Sequence, residues 1–268
     1  MRGARVVMLG AAVLMGAFTL RPVVADAAVG STVPAHKGIL PPKNPAKSLS
    51  PSPSFFSLCA GGNDGSKCNT TVLKAIAHAR KVLEVMGGMS FSLAAYEKLT
   101  PDEQLFVTVN LERINRGLPP AVVLTKSLDK VAQAGANGDT DPPLGSVPKT
   151  LPGGGLPWGM GGNWAGGWYN ALGSDYAWMY DDGLGSSNED CTKSNPGGCW
   201  GHRDLILGTF NSSSECGGQN ELAMGAGHVT KGNAYGDSEA ELFVGVCGAT
   251  PTDVVLSWAR AKSLLHIS

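Results

Sequence analysis

The sequence predicts an α+β fold, with three or four helices gathered around a small late sheet and disulfides pinning the chain. Three observations predict it. Apolar residues recur at helical spacing over much of the chain, strand-like alternation is confined to two late segments, and six cysteines sit in a low-charge, glycine-rich background. Of 268 residues 43% are hydrophobic and 16% charged, with 37 Gly and 17 Pro. That is material for a core and for long turn-rich connections, and it excludes wholesale disorder. A net charge of −1 leaves no basic face for phosphate, which excludes nucleic acid as a partner.

Taken in order, residues 1–27 read as a secretory signal. Arg2 and Arg5 precede an uncharged run from Val6 to Leu20, and Ala25-Asp26-Ala27 offers small residues for cleavage. The run falls short of the roughly 20 residues that span a bilayer, so no membrane segment is expected once the signal is removed. Residues 28–57 carry six prolines between Val33 and Phe55 and read as a disordered Pro/Ser-rich leader. Residues 58–99 form an N-terminal helical extension, with Val72, Ile76, Ala79, Leu83 and Met86 at helical steps before Gly87-Gly88.

The main domain spans 100–268. Thr100-Pro101-Asp102-Glu103 is a capping box with proline at the first helical position. The helix it opens is apolar around most of its circumference and ends at Gly117-Leu118-Pro119-Pro120. Ser127 is expected to cap a helix through about Asn137, and a Gly/Pro-rich connection follows from Thr140 to Gly162. Ser174 opens a helix through Tyr180, and a short one covers His202 to Leu207. Leu222–Val229 and Glu239–Cys247 read as strands, and Pro251 starts a terminal helix.

All six cysteines lie beyond the signal, which favours disulfides in an exported chain. Spacing joins Cys59 to Cys68 and Cys191 to Cys199 across turn sequences, leaving Cys216 with Cys247. No cysteine or histidine cluster has zinc-ligand spacing.

Three stretches carry the chemistry. They are Leu105 to Pro120 with its terminal Arg116-Gly117-Leu118-Pro119-Pro120, then Gly162-Asn163-Trp164-Ala165 with Trp178-Met179-Tyr180-Asp181, then Gly201-His202-Arg203-Asp204-Leu205-Ile206-Leu207. In this order they resemble the CAP superfamily (cysteine-rich secretory proteins, antigen 5 and pathogenesis-related 1), or SCP domains, most nearly the exported actinobacterial type. The resemblance implies a three-layer α-β-α sandwich with a small antiparallel sheet and a crevice lined by two His and two acids. His202 matches the second His and Asp181 the second acid. Gly162 stands where the first acid belongs, and Ala134 to Asn137 offer no first His. One His and one Asp make a poor cage, so no cofactor is expected and a divalent metal at His202 is disfavoured. His228 is a still less favoured substitute ligand.

Two functions follow from the resemblance. The first is a non-enzymatic extracellular or cell-envelope domain that binds a lipid, sterol, cell-wall glycan or extracellular protein. Asn163, Trp164 and Tyr180, in a Trp/Tyr-rich stretch from 158 to 180, are the expected ligand-binding residues. The second is a peptidase-like hydrolase with His202 as general base, oriented by Asp181.

Overall fold

The computed structural model describes residues 25–26, 42–60, 65–208, 216, 220–230 and 234–267. In chain order the elements are β1 (Ala25–Asp26), α1 (Phe56–Cys59), α2 (Ser66–Glu84), α3 (Leu93–Tyr96), α4 (Pro101–Ile114), β2 (Val123–Thr125), α5 (Lys126–Gly138), β3 (Leu156–Gly166), α6 (Ala171–Tyr180), α7 (Gly201–Ile206), β4 (Asn220–Val229), β5 (Ser238–Cys247), β6 (Val254–Ser257) and α8 (Trp258–Leu265). The α+β class and the three disulfides stand as read, with Cys59–Cys68, Cys191–Cys199 and Cys216–Cys247 paired and no free cysteine. No helix among the described residues is long and apolar enough to cross a membrane.

The sheet is mixed rather than antiparallel. Its order is β1-β3-β5-β4-β2-β6, and β2 runs parallel to β4 while the other pairs are antiparallel. The parallel pair follows from connectivity, since β2 reaches β4 only through α5, β3, α6 and α7. Besides β1, which lies within the expected signal, three strands are illegible by pattern. β3 falls in the expected Gly/Pro connection, yet pairs along its length with β5, with a register shift between Pro157 and Gly159. β2 is too short for alternation to register. β6 occupies the start of the expected terminal helix, which begins only at Trp258.

Alternate strand residues enter two separate apolar clusters. Leu222, Met224, Ala226 and Phe243 join residues of α2, α4, α6, α7 and α8, whereas Ala223, Leu242, Val244 and Val246 join Leu128, Val131 and Ala132 of α5. Gly225 and Gly227 let α5 lie against β4. A Cβ there would stand 2.2 Å from the Leu128 carbonyl carbon and 2.4 Å from the Gln133 Cα.

Caps differ in detail from expectation. The Thr100/Glu103 box is formed as read, with the Thr100 hydroxyl accepting from the Glu103 amide at 3.3 Å and the Glu103 carboxylate from the Thr100 amide at 2.9 Å. Thr125, not Ser127, caps α5. The Ser127 amide instead donates to Asp253 at 2.7 Å. Asn170, not Ser174, caps α6, because its Oδ1 meets the Gly173 amide at 2.8 Å.

The N-terminal boundaries also shift. Residues 1–24 and 27–41, which hold most of the expected signal and part of the leader, lie outside the described residues, and Ala25–Asp26 pairs with Trp164 and Ala165 at the sheet edge. Residues 42–57 are not a loose leader. The Leu49 amide donates to the Tyr180 carbonyl, the Tyr176 hydroxyl to the Leu49 carbonyl, and the Gly183 amide to the Ser48 hydroxyl. Phe55 is fully buried against Phe56, Trp168 and Tyr176. Composition misses this because one buried aromatic and three hydrogen bonds outweigh the polar average of the segment. Likewise α2 is no appendage, since Val72, Ile76 and Ala79 share the apolar cluster of α4 and α6.

Two expectations follow. Phe55→Ala leaves a cavity among aromatic rings and should lower unfolding free energy by about 3–5 kcal/mol in chemical denaturation. The second concerns Asp129, whose Oδ1 accepts from the Ala226 amide at 2.9 Å, just past the last β2–β4 partner. Burial, aided by Asp102, Asp253 and Glu103, pushes its carboxyl up to about 8. A raised folded-state value means stability present below about pH 4 and lost as pH rises through 8. Asp129→Asn keeps the acceptor but cannot ionise, so its Tm should fall less than the parent's between pH 5 and pH 8.

Candidate functional site

The turn after α6 and the start of α7 meet at His202. The α7 N-terminus has no local cap, because Trp200 occupies the N-cap position in the left-handed region at φ 65°. A distant carboxylate supplies the missing acceptor. Asp182 Oδ2 accepts from the His202 amide at 3.2 Å, and its Oδ1 lies 2.7 Å from His202 Nδ1 and accepts from Asn188 at 2.7 Å. The negative charge also sits favourably at the positive end of the helix. Both side chains are fully buried.

Asp182, not Asp181, therefore orients the imidazole. Asp181 is the C-cap residue of α6, its amide bonded back to Tyr176 and Ala177, and burial next to Asp182 pushes its carboxyl up to about 6. In the sequence the two acids are adjacent, and a three-residue offset from Trp178 selects the first. The end of the helix turns the second toward α7, which spacing alone does not reveal.

Asn163 joins the two motif stretches. Its Nδ2 donates to the His202 carbonyl at 3.1 Å and to Glu241 Oε1 at 2.7 Å. Glu241 was not anticipated. Burial pushes its carboxyl well above the usual carboxylate range. A continuous line of buried groups thus runs from Asp182 through His202 and Asn163 to β5.

Trp164 and Tyr180 are also interior. The Trp164 indole donates to the Ser238 hydroxyl at 2.7 Å, and its backbone carbonyl accepts from the Trp178 indole at 3.1 Å. Tyr180 donates to Glu112 at 2.5 Å. The expected ligand-binding trio thus exposes no more than 2% of any member. Trp168, Tyr176 and Trp178 are buried too, so the aromatic-rich stretch is mostly packing.

Beside this line lies a buried charge network unseen by motif reading. Glu112 of α4 pairs with Arg116 and, at 3.4 Å, with Arg80 of α2. Glu84 of α2 pairs with Arg116 and with Arg203 of α7. The adjacent guanidiniums and the Tyr180 hydroxyl overcome the cost of burial and hold the Glu112 carboxyl down at about 2. Burial and neighbouring Glu112 hold the Asp175 carboxyl well above its ordinary value. Arg113 donates to the carbonyls of Pro119, Ile206 and Gly208, stitching α4 to the end of α7.

A cleft of about 380 Å³ lies between the end of α2 and the end of α4, lined by Met86, Gly88, Leu111, Ile114, Asn115 and Ile267. It contains neither His202 nor Asp182.

These features define a disulfide-bonded α+β protein whose acid–histidine pair is interior and whose cleft is partly apolar. Compared with protein-family models, curated proteins and solved structures, the chain matches none of them.

Glu112→Gln strips the charge from the centre of the network and leaves Arg80 and Arg116 buried without it. Unfolding free energy should drop by about 3–5 kcal/mol, measured by denaturant titration at pH 7.

Proposed function

We propose that the protein is an exported domain of the CAP (SCP) type, with a three-layer α-β-α arrangement, that acts by binding rather than by catalysis. The N-terminal signal pattern and the fully paired cysteines support export. The separate apolar clusters on the two sheet faces support the layered arrangement. The Asn163–His202 bond, which brings the Gly-Asn-Trp-Ala and Gly-His-Arg-Asp stretches together, supports the family reading.

The single observation that carries the non-enzymatic reading is the burial of His202 and Asp182. A general base must reach a substrate proton within hydrogen-bond distance or through one water. Here the imidazole is sealed in and its acid is committed to capping α7. The same burial weighs against the hydrolase alternative.

The ligand is placed in the cleft between α2 and α4, whose volume suits a small molecule and whose lining mixes Leu111, Ile114 and Ile267 with Ser90 and Asn115, so a lipid, a sterol or a cell-wall glycan fragment remains the ligand class. Native mass spectrometry of the secreted protein against fatty acids, sterols and glycan fragments should show one retained ligand, weakened at least tenfold by Ile114→Arg. Peptide and ester substrates should show no turnover that depends on His202. Turnover abolished by His202→Asn in a variant with an unchanged circular dichroism spectrum would sink the reading.

A further inference from the structure

A second histidine stands where solvent can reach it. His228 lies at the end of β4 directly opposite Glu239 of β5, so both side chains project from the same face of the sheet. Asp237 immediately precedes β5. His228 Nε2 lies 3.1 Å from Asp237 Oδ1 and 3.9 Å from Glu239 Oε1, and one ligand atom from each residue lies within 4.8 Å of the others. Ligand atoms about 2.0–2.2 Å from a shared zinc ion stand roughly 3–3.6 Å apart, so small side-chain adjustments bring all three into range.

The surroundings hold these groups in place. The side-chain amide of Gln133 grips both the amide and the carbonyl of His228. The Asp237 carbonyl accepts from the Gly167 amide at 2.7 Å. A second observation points to an absent partner. The Asp237 side chain is 8% exposed, and its Oδ2 is buried with no hydrogen-bond partner among the described residues. A carboxylate oxygen kept from water with nothing to bind is costly, and a cation would satisfy it. Two carboxylates around one imidazole also concentrate negative charge that a divalent ion would offset.

We propose that His228, Asp237 and Glu239 form a binding site for a divalent transition-metal cation of the zinc class. One imidazole nitrogen with two carboxylate oxygens suits zinc or manganese better than calcium, which prefers a larger all-oxygen shell. Three protein ligands leave a coordination position for water or a ligand donor. The site is independent of the His202 pair and of the cleft between α2 and α4, and it goes beyond the binding function proposed above.

The test is calorimetric titration of zinc chloride into chelator-treated, disulfide-intact protein at pH 7, with manganese and calcium run in parallel. The expected result is one zinc per chain, with affinity lowered tenfold or more by Asp237→Asn or His228→Ala and unchanged by His78→Ala on the exposed face of α2. Stoichiometric zinc binding indifferent to Asp237→Asn and His228→Ala overturns the site, and calcium binding tighter than zinc overturns the cation class. Should either variant misfold, the cobalt-loaded parent protein decides alone. Visible ligand-field bands that zinc displaces support the site, and their absence overturns it. Neither outcome depends on whether the cleft holds a lipid.

Discussion

Glu112 is the group around which the helices are arranged. It sits in the last turn of a helix buried on nearly every side, where a carboxylate is tolerated only if cations and hydroxyls surround it. Arg80 comes from α2, Arg116 from the turn after α4, and Tyr180 from the end of α6. Glu84 extends the same network to Arg203 on α7. Guanidinium donors are directional, so these pairs fix the rotation and register of the helices as apolar contact alone would not. The network sets three guanidiniums against the carboxylates of Glu84 and Glu112, while burial and the neighbouring Glu112 push the Asp175 carboxyl well above its ordinary value.

The same logic extends from helices to sheet. Once Arg203 is fixed by Glu84 and by the Met179 carbonyl, its neighbour His202 is fixed as well. The α7 amides then need an acceptor, and Asp182 provides it across a 20-residue separation. Asn163 carries the tie onward to Glu241, whose carboxyl is pushed up by burial and by the neighbouring Glu239 and Asp141. A stretch that reads as catalytic in the sequence is thereby used to join a short helix to β3 and β5.

How much of this was legible in the sequence depended on whether the signal was local. The Thr100–Glu103 box, the periodicity of α2 and α4, the strands β4 and β5 and the Cys59–Cys68 and Cys191–Cys199 spacings all involve residues close in the chain, and each appears as read, with Cys216–Cys247, 31 residues apart, following as the remaining pair. The misses are long-range. β3 is written largely in glycine and proline, and only the full-length ladder offered by β5 makes it a strand. Residues 42–57 look like a tether until Phe55 meets Trp168 and Tyr176, more than a hundred residues away. At the site, the sequence named His202 but chose the wrong neighbour, because Asp181 and Asp182 differ only in where the helix end points them.

Exposure therefore separates two histidines that composition treats alike. His202 has a motif around it and no access, since its imidazole and its backbone amide are both tied to one buried carboxylate and its carbonyl to Asn163. His228 has no motif, but it lies at a hairpin end with 11% of its side chain open and two acids within reach. A group that exchanges ligands needs a route for them and a charge imbalance that the ligand relieves. The first histidine has neither, because Asp182 already answers it within the fold. The second has both, so the weight of any chemistry shifts from the recognisable sequence signature to the unremarked end of the hairpin.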